Sequence, residues 1–175
     1  MGFEDVNEVR QGKYFEVTEK LGVKLKVAGQ LSDDYPTPDS FPPHVEYVGY
    51  VGVEERKELM KKAKASFLPS QYVEPFGGVQ VENLLCGTPT ITSDWGAFVE
   101  NNIEGVTGYR CKTFGDYIQA CQNIILGEID PKDCRKKGEE FSLLELVFEI
   151  ILISTGRGRG LEKESGRSSI EVLEI

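Results

Sequence analysis

Histidine is nearly absent. Among 175 residues there is one, His44, and it stands in Pro42-Pro43-His44 ahead of an apolar run. Histidine is the side chain that most often moves protons at neutral pH; a lone one behind two prolines is read as a surface or structural residue. The four cysteines (Cys86, Cys111, Cys121, Cys134) form no Cys-x-x-Cys pair. With one histidine and no paired thiols a metal site is not expected, and the cysteines are read as reduced thiols. No Gly-x-Ser-x-Gly elbow and no Walker lysine loop occurs, and no G-x-G-x-x-G follows a strand. The last absence argues against a nicotinamide-binding domain, the weakest of the readings weighed. Positive charge is also in short supply. The net charge is −9 and the pI near 4.8, the opposite of what a phosphate backbone recruits, so no nucleic-acid partner is expected. The first ten residues carry no basic start with an apolar core, and the apolar run Phe141 to Ile153 contains Glu145 and Glu149 and is too short to span a bilayer. These two features predict a cytoplasmic protein without a transmembrane segment.

What the chain does have is concentrated between Ser70 and Ala97. Ser66-Phe67-Leu68-Pro69 reads as a short buried strand closed by proline. A loop follows, with Glu74 and then Phe76-Gly77-Gly78. From Gly78 the apolar positions Val79, Val81, Leu84 and Leu85 fall at helical spacing until Cys86-Gly87, with Pro89 two residues on, which is a helix stop. Thr90-Ile91-Thr92 reads as the next strand. Strand, glycine loop, helix and strand in that order predict a parallel sheet with a ligand crevice at the carboxyl ends of its strands. Glycines at a helix start let backbone amides approach a ligand, and the free N–H groups and dipole there favour an anion. Glu74 and Glu82 are acceptors only, and hydroxyls of a sugar suit them.

The rest of the chain is consistent with one α/β domain. The segment 6–21 is read as a helix stopped by Gly22. Lys24 to Gly29 and Val45 to Gly49 both read as strand followed by glycine, with a polar, proline-rich loop (32–43) between them. Glu54 to Ala65 is an amphipathic helix with acids in its first turn and lysines in its last, and Lys57, Lys61, Lys62 and Lys64 are read as a solvated face. Asp94 to Ala97 is read as a loop in which Trp95, the only tryptophan, anchors by packing. A short helix (98–102), a final strand (105–111), a core-facing helix (114–126) and another from Asp130 to about Phe141 complete the pattern. Past Phe141 the composition shifts, and the GRGRG segment reads as flexible linker.

Glu74-Pro-Phe-Gly-Gly-Val-Gln-Val-Glu82, followed by Cys86-Gly-Thr-Pro and Asp94-Trp-Gly-Ala-Phe-Val-Glu100, resembles the donor-binding motif of the retaining GT-B glycosyltransferases of family four, or group 1. The resemblance runs from about Tyr14 to Gly138 and implies a single Rossmann-like domain with a mainly parallel sheet flanked by helices, the C-terminal half of a GT-B fold. On that reading 1–140 is the nucleotide-sugar-binding domain, its first strand missing, and 141–175 is a divergent apolar helix and flexible tail. In related enzymes a strand and a loop bearing Arg and Lys precede the helix at 6–21; Arg10, Gly12 and Lys13 do not align with that basic pair.

The resemblance further implies transfer of a sugar from a nucleotide sugar with retention and without a metal ion or cofactor. Glu74 would be the catalytic-site carboxylate near the reacting centre. Phe76, Gly77, Gly78 and Val79 would hold the sugar and the departing phosphate, and Glu82 would accept the ribose hydroxyls. An acceptor-binding N-terminal domain would have to come from a separate chain. Two readings therefore stay open: an enzyme completed by such a partner, and an inactive nucleotide-sugar-binding module or gene fragment.

Overall fold

The computed structural model describes residues 8–29, 37–70, 73–141 and 170–174. Within them the chain forms α1 (Glu8–Leu21), β1 (Lys24–Ala28), β2 (Val45–Gly49), α2 (Val53–Lys62), β3 (Ala65–Leu68), α3 (Gly78–Leu85), β4 (Thr90–Ser93), α4 (Phe98–Asn101), β5 (Gly108–Cys111), α5 (Phe114–Ile125), α6 (131–141) and β6 (Ile170–Glu174).

The six strands make one sheet in the order β2-β1-β6-β3-β4-β5. β1 pairs parallel with β2, and β3, β4 and β5 pair parallel with one another. The expected parallel α/β architecture is thus observed. Helices cover the sheet, so its inner strands are buried along their whole length: all four residues of β3 and of β4 are buried. The core gathers Val17 and Tyr14 of α1, Leu25 and Val27 of β1, Phe67 of β3, Leu84 of α3, Ile91 of β4 and Cys121 of α5. Tyr14 stacks edge-on to Tyr117 and tilted against Phe67, with ring centroids 5.3 and 5.1 Å apart.

Two expectations are corrected. The strand at 108–111 is not the last, and the tail is not flexible linker throughout. β6 lies between β1 and β3 and runs antiparallel to both. The chain winds outward from it in both directions, β1 then β2 on one side and β3, β4, β5 on the other. β6 therefore holds the place that the first strand holds in a doubly wound sheet, at the switch point where ligands gather. The apolar run after Phe141 and the GRGRG segment lie outside the described residues, as does the start of the first helix at Val6.

Part of the core is polar, which apolar periodicity could not reveal. Gln80, Asn83, Thr90, Thr92, Asn102 and Thr107 are all buried. Asn102 Nδ2 donates to the Thr90 carbonyl, to Thr92 Oγ1 and to the Tyr109 carbonyl at 3.1, 3.1 and 3.3 Å. Gln80 Nε2 donates to Thr90 Oγ1, and Ser66 Oγ to Asn83 Oδ1. These bonds fix α3 and the turn after α4 to the strands; buried polar groups demand such partners.

α5 opens with a capping box. Asp116 Oδ2 accepts the Thr113 and Lys112 N–H groups at 2.8 and 2.9 Å, and Thr113 Oγ1 accepts the Asp116 N–H at 3.3 Å. The two backbone donors, Lys112 first, hold the Asp116 carboxyl below its ordinary value. A depressed folded value means the contribution is complete at neutral pH, above the unfolded pKa near 3.8, and is lost as pH falls through the folded one. We expect Asp116→Ala to lower stability at pH 7 by about 1 kcal/mol, with the deficit shrinking below pH 4. Denaturant titrations at pH 7 and pH 3 check this; an equal deficit at both would rule it out.

Candidate functional site

The stretch singled out by sequence joins β3 to α3, directly beside the switch point. Gly77 is the N-cap of α3 and is left-handed (φ 80°, ψ 49°), a conformation that glycine adopts without steric cost. The first amides bonded back into the helix are those of Gln80 and Val81, both to the Gly77 carbonyl at 2.9 and 3.2 Å. The first-turn N–H groups of an α-helix have no intrahelical acceptor. Gly78 faces open space: a Cβ built there meets nothing within 4 Å. A bend with unspent amides and room before it is a place where an anion fits.

The bend is held from one side by the β4–α4 connection. Ala97 N–H donates to the Glu74 carbonyl at 2.8 Å, and a Cβ on Gly96 would sit 2.8 Å from the Glu74 nitrogen. Asn101 Nδ2 donates to the Phe76 carbonyl at 2.7 Å, and Ser93 Oγ to the Ser70 carbonyl at 3.1 Å. Phe76 keeps 40% of its surface exposed and meets Phe141 edge-on, centroids 6.1 Å apart.

The two glutamates are held by different neighbours. Ser70 Oγ lies 3.4 Å from Glu74 Oε2, a long hydrogen bond. Glu82 Oε1 accepts from Arg56 Nη2 of α2 at 3.0 Å, while Glu82 Oε2 is buried without a hydrogen-bond partner among the described residues. Glu82 and Arg56 line a hollow of ≈ 530 Å³ between α2 and α3 together with Val53, Met60 and Cys86. Glu74 is not part of its lining. Val79 is half-buried and packs on Met60.

Several side chains with apparent chemistry are accounted for by structure. His44 Nε2 is 3.0 Å from both Thr18 Oγ1 and the Phe15 carbonyl, tying β2 to α1. Lys57 and Lys61 pair along α2 with Glu54 and Glu58, as a solvated face does. Burial pushes the Cys121 and Cys134 thiols up to about 12 and the Cys111 and Cys86 thiols up as well, so none is a ready nucleophile. Trp95 keeps 39% of its surface exposed, and its neighbour Gly96 is pressed against Glu74. Sequence reasoning missed Arg56, Gly96 and Asn101. Only Gly96 gave a signal, as a glycine within a loop.

Comparison with known proteins bears on this geometry. The family model described as "Glycosyl transferases group 1" matches residues 19–141, a span that includes the glycine bend, both glutamates and the β4–α4 brace. Glycogen synthase of Mycobacterium tuberculosis is 43% identical over 65 residues, which are 37% of this chain and 16% of that protein. Among solved structures, sucrose-phosphate synthase from Thermosynechococcus elongatus superposes with a TM-score of 0.61 at 24% identity, over 85% of this chain and 41% of that one. AviGT4, a glycosyltransferase involved in avilamycin A biosynthesis, gives 0.56 at 21% identity over 72% and 40%. The Anabaena protein HepE in complex with UDP and glucose gives 0.52 at 19% identity over 66% and 33%. The present chain thus spans about a sixth of the curated relative and well under half of each structure. The structural likeness is one of fold, that of the GT-B glycosyltransferases. With the family model covering most of its length, the chain belongs to the group 1 glycosyl transferases.

Proposed function

We propose that this domain binds a nucleotide diphosphate sugar at the β3–α3 bend and serves as the donor half of a retaining sugar transfer that needs neither a metal ion nor a cofactor. The reading is supported above all by the combination at α3: a left-handed Gly77 and an open Gly78 at its start, and at Glu82 a buried carboxylate oxygen without a partner among the described residues. The amides of Phe76 to Val79 meet the diphosphate and the charge that develops on it as the sugar leaves. Glu82 Oε2 accepts a ribose hydroxyl while Arg56 holds the other oxygen. Glu74 lies at the sugar end, near the reacting carbon. The relative solved with UDP and glucose favours a nucleotide sugar as the ligand class. Residues 1–140 form the donor-binding unit, and an acceptor-binding domain closes the cleft over it and excludes water. Binding without turnover is what the donor-binding unit by itself predicts.

The test is calorimetry with uridine, guanosine and adenosine diphosphate sugars, on the wild type and on Glu82→Ala. The Arg56–Glu82 pair is partly exposed, 31% and 43%, and such pairs contribute about 0–1 kcal/mol. Hydrogen bonds to a charged acceptor contribute about 1.5–3 kcal/mol each. Glu82→Ala is therefore expected to weaken the preferred sugar nucleotide at least tenfold and to move the thermal midpoint by no more than about 4 °C. No binding of any of the three by the wild type, or a collapse of stability in the variant, would refute the assignment.

A further inference from the structure

Asn101 is 6% exposed at the end of the four-residue α4, and its amide reaches across 25 residues of sequence to the Phe76 carbonyl at 2.7 Å. That carbonyl belongs to the peptide unit whose N–H is that of Gly77. A trans peptide is planar, with its C=O and N–H pointing in opposite directions. A bond that draws the Phe76 oxygen toward α4 therefore turns the Gly77 N–H away from α4. Nothing intrinsic to glycine prefers this orientation, because Gly77 has no Cβ to resist a flip of the preceding unit. The backbone two peptide units earlier is restrained from the same side, with Ala97 N–H on the Glu74 carbonyl at 2.8 Å and Gly96 close against the Glu74 nitrogen. The next residue, Asn102, spends its amide on Thr90, Thr92 and Tyr109. Of two adjacent buried asparagines, one ties the strands together and the other reaches the bend.

We propose that Asn101 is a positioning residue that selects the orientation of the Phe76–Gly77 peptide, so that the Gly77 amide is presented as an anion donor before any ligand arrives. Affinity for the diphosphate then depends on Asn101, and affinity for the nucleoside does not. The proposal rests on the donor-site reading above and adds to it the device that preorganises the bend. Preorganisation removes an ordering cost from binding without adding a contact to the ligand.

The experiment uses the full chain, wild type, Asn101→Ala and the near-isosteric Asn101→Leu. Binding of UMP, UDP and UDP-glucose and of the guanosine and adenosine counterparts is measured by calorimetry, and the Gly77 amide is followed by 15N NMR, with and without inorganic pyrophosphate. Both variants should lose about tenfold in affinity for diphosphate ligands, the equivalent of one charge-assisted bond, and stay within about twofold for the monophosphate. The free Gly77 resonance should move in both variants, and its response to pyrophosphate should fade. A purely structural role would instead weaken every ligand alike in step with the thermal midpoint. Unchanged diphosphate affinity, or an unmoved Gly77 resonance, would overturn the proposal. If the wild type binds no nucleotide the donor-site reading fails, and the Gly77 shift still reports whether Asn101 sets the peptide.

Discussion

A chain shortened to end at residue 160 should lose cooperative thermal unfolding. β6 pairs through all five of its residues with β1, from Lys24↔Glu174 to Ala28↔Ile170, and through Glu171 to Leu173 with β3. Among the described residues no other strand joins the two halves of the sheet. Without it the inner edges of β1 and β3 carry unpaired N–H and C=O groups beside a core in which Leu25, Val27, Ala65 and Phe67 are wholly buried. An unmade buried hydrogen bond costs about 1–3 kcal/mol, so several together amount to at least about 5 kcal/mol. A domain's whole stability is about 5–15 kcal/mol. The shortened chain should keep much of its far-UV helical signal, from helices that need only local bonds, while binding a hydrophobic dye and melting without a sharp transition. A midpoint within a few degrees of the full chain would show that the central slot tolerates being empty.

That strand also conditions the site. The crevice at a switch point is flanked by the carboxyl ends of the two strands on either side of it, here β1 and β3, and the bend carrying Glu74 leaves β3 directly. If β1 and β3 drifted apart, the loop after β3 would lose its reference to the rest of the sheet even though every bond from α4 to the bend remained. The brace from Asn101, Ala97 and Gly96 is internal to the β3–β4 half; β6 ties that half to β1 and β2. α2, which brings Arg56 to Glu82, connects β2 to β3 and so straddles both. Local order of the bend and its alignment with Arg56 therefore depend on different parts of the molecule.

The order of elements was legible because glycine and proline punctuate it. Pro69 closes β3, Gly77 opens α3, and Gly87 with Pro89 ends it. The family resemblance likewise sits on residues close in sequence. What escaped was whatever depends on distant partners. Ile170-Glu-Val-Leu-Glu174 has no strict alternation, and its partner β1 lies near the other end of the chain. Gln80, Asn83 and Asn102 look like surface residues in a periodicity reading, and their partners on β3 and β4 stand 10 to 17 residues away. Glu82 stands out as the closing carboxylate of the motif that opens at Glu74. Its actual partner, Arg56, belongs to a helix read only as a solvated face.

Gly108→Ala should destabilise the protein more than any other glycine-to-alanine change in β4–β5. Gly108 opens β5 opposite Thr90, and a Cβ built on it falls 1.8 Å from the Thr90 carbonyl oxygen and 2.7 Å from Asn102 Oδ1. Neither obstacle is the free end of a mobile side chain. The first is backbone in a fully buried strand, and the second is fixed by Thr107 Oγ1, which donates to it at 3.1 Å. Relief requires β5 to move off β4, and that breaks the Asn102 bonds to the Thr90 and Tyr109 carbonyls at the same time. Overpacking a tight site costs about 1–3 kcal/mol, and each buried group left unpaired about 1–3 more, so a loss of about 4 kcal/mol is expected, or roughly 8–16 °C in the midpoint. Gly105→Ala is the control. It lies in the same turn with φ 70° and nothing within 4 Å of a Cβ, so it should lose only the left-handed penalty of about 1–2 kcal/mol. Equal losses for the two variants, measured by denaturant unfolding, would mean that β4 and β5 separate freely at this point. The buried asparagine would then be an accessory to the turn, not the residue that fixes it.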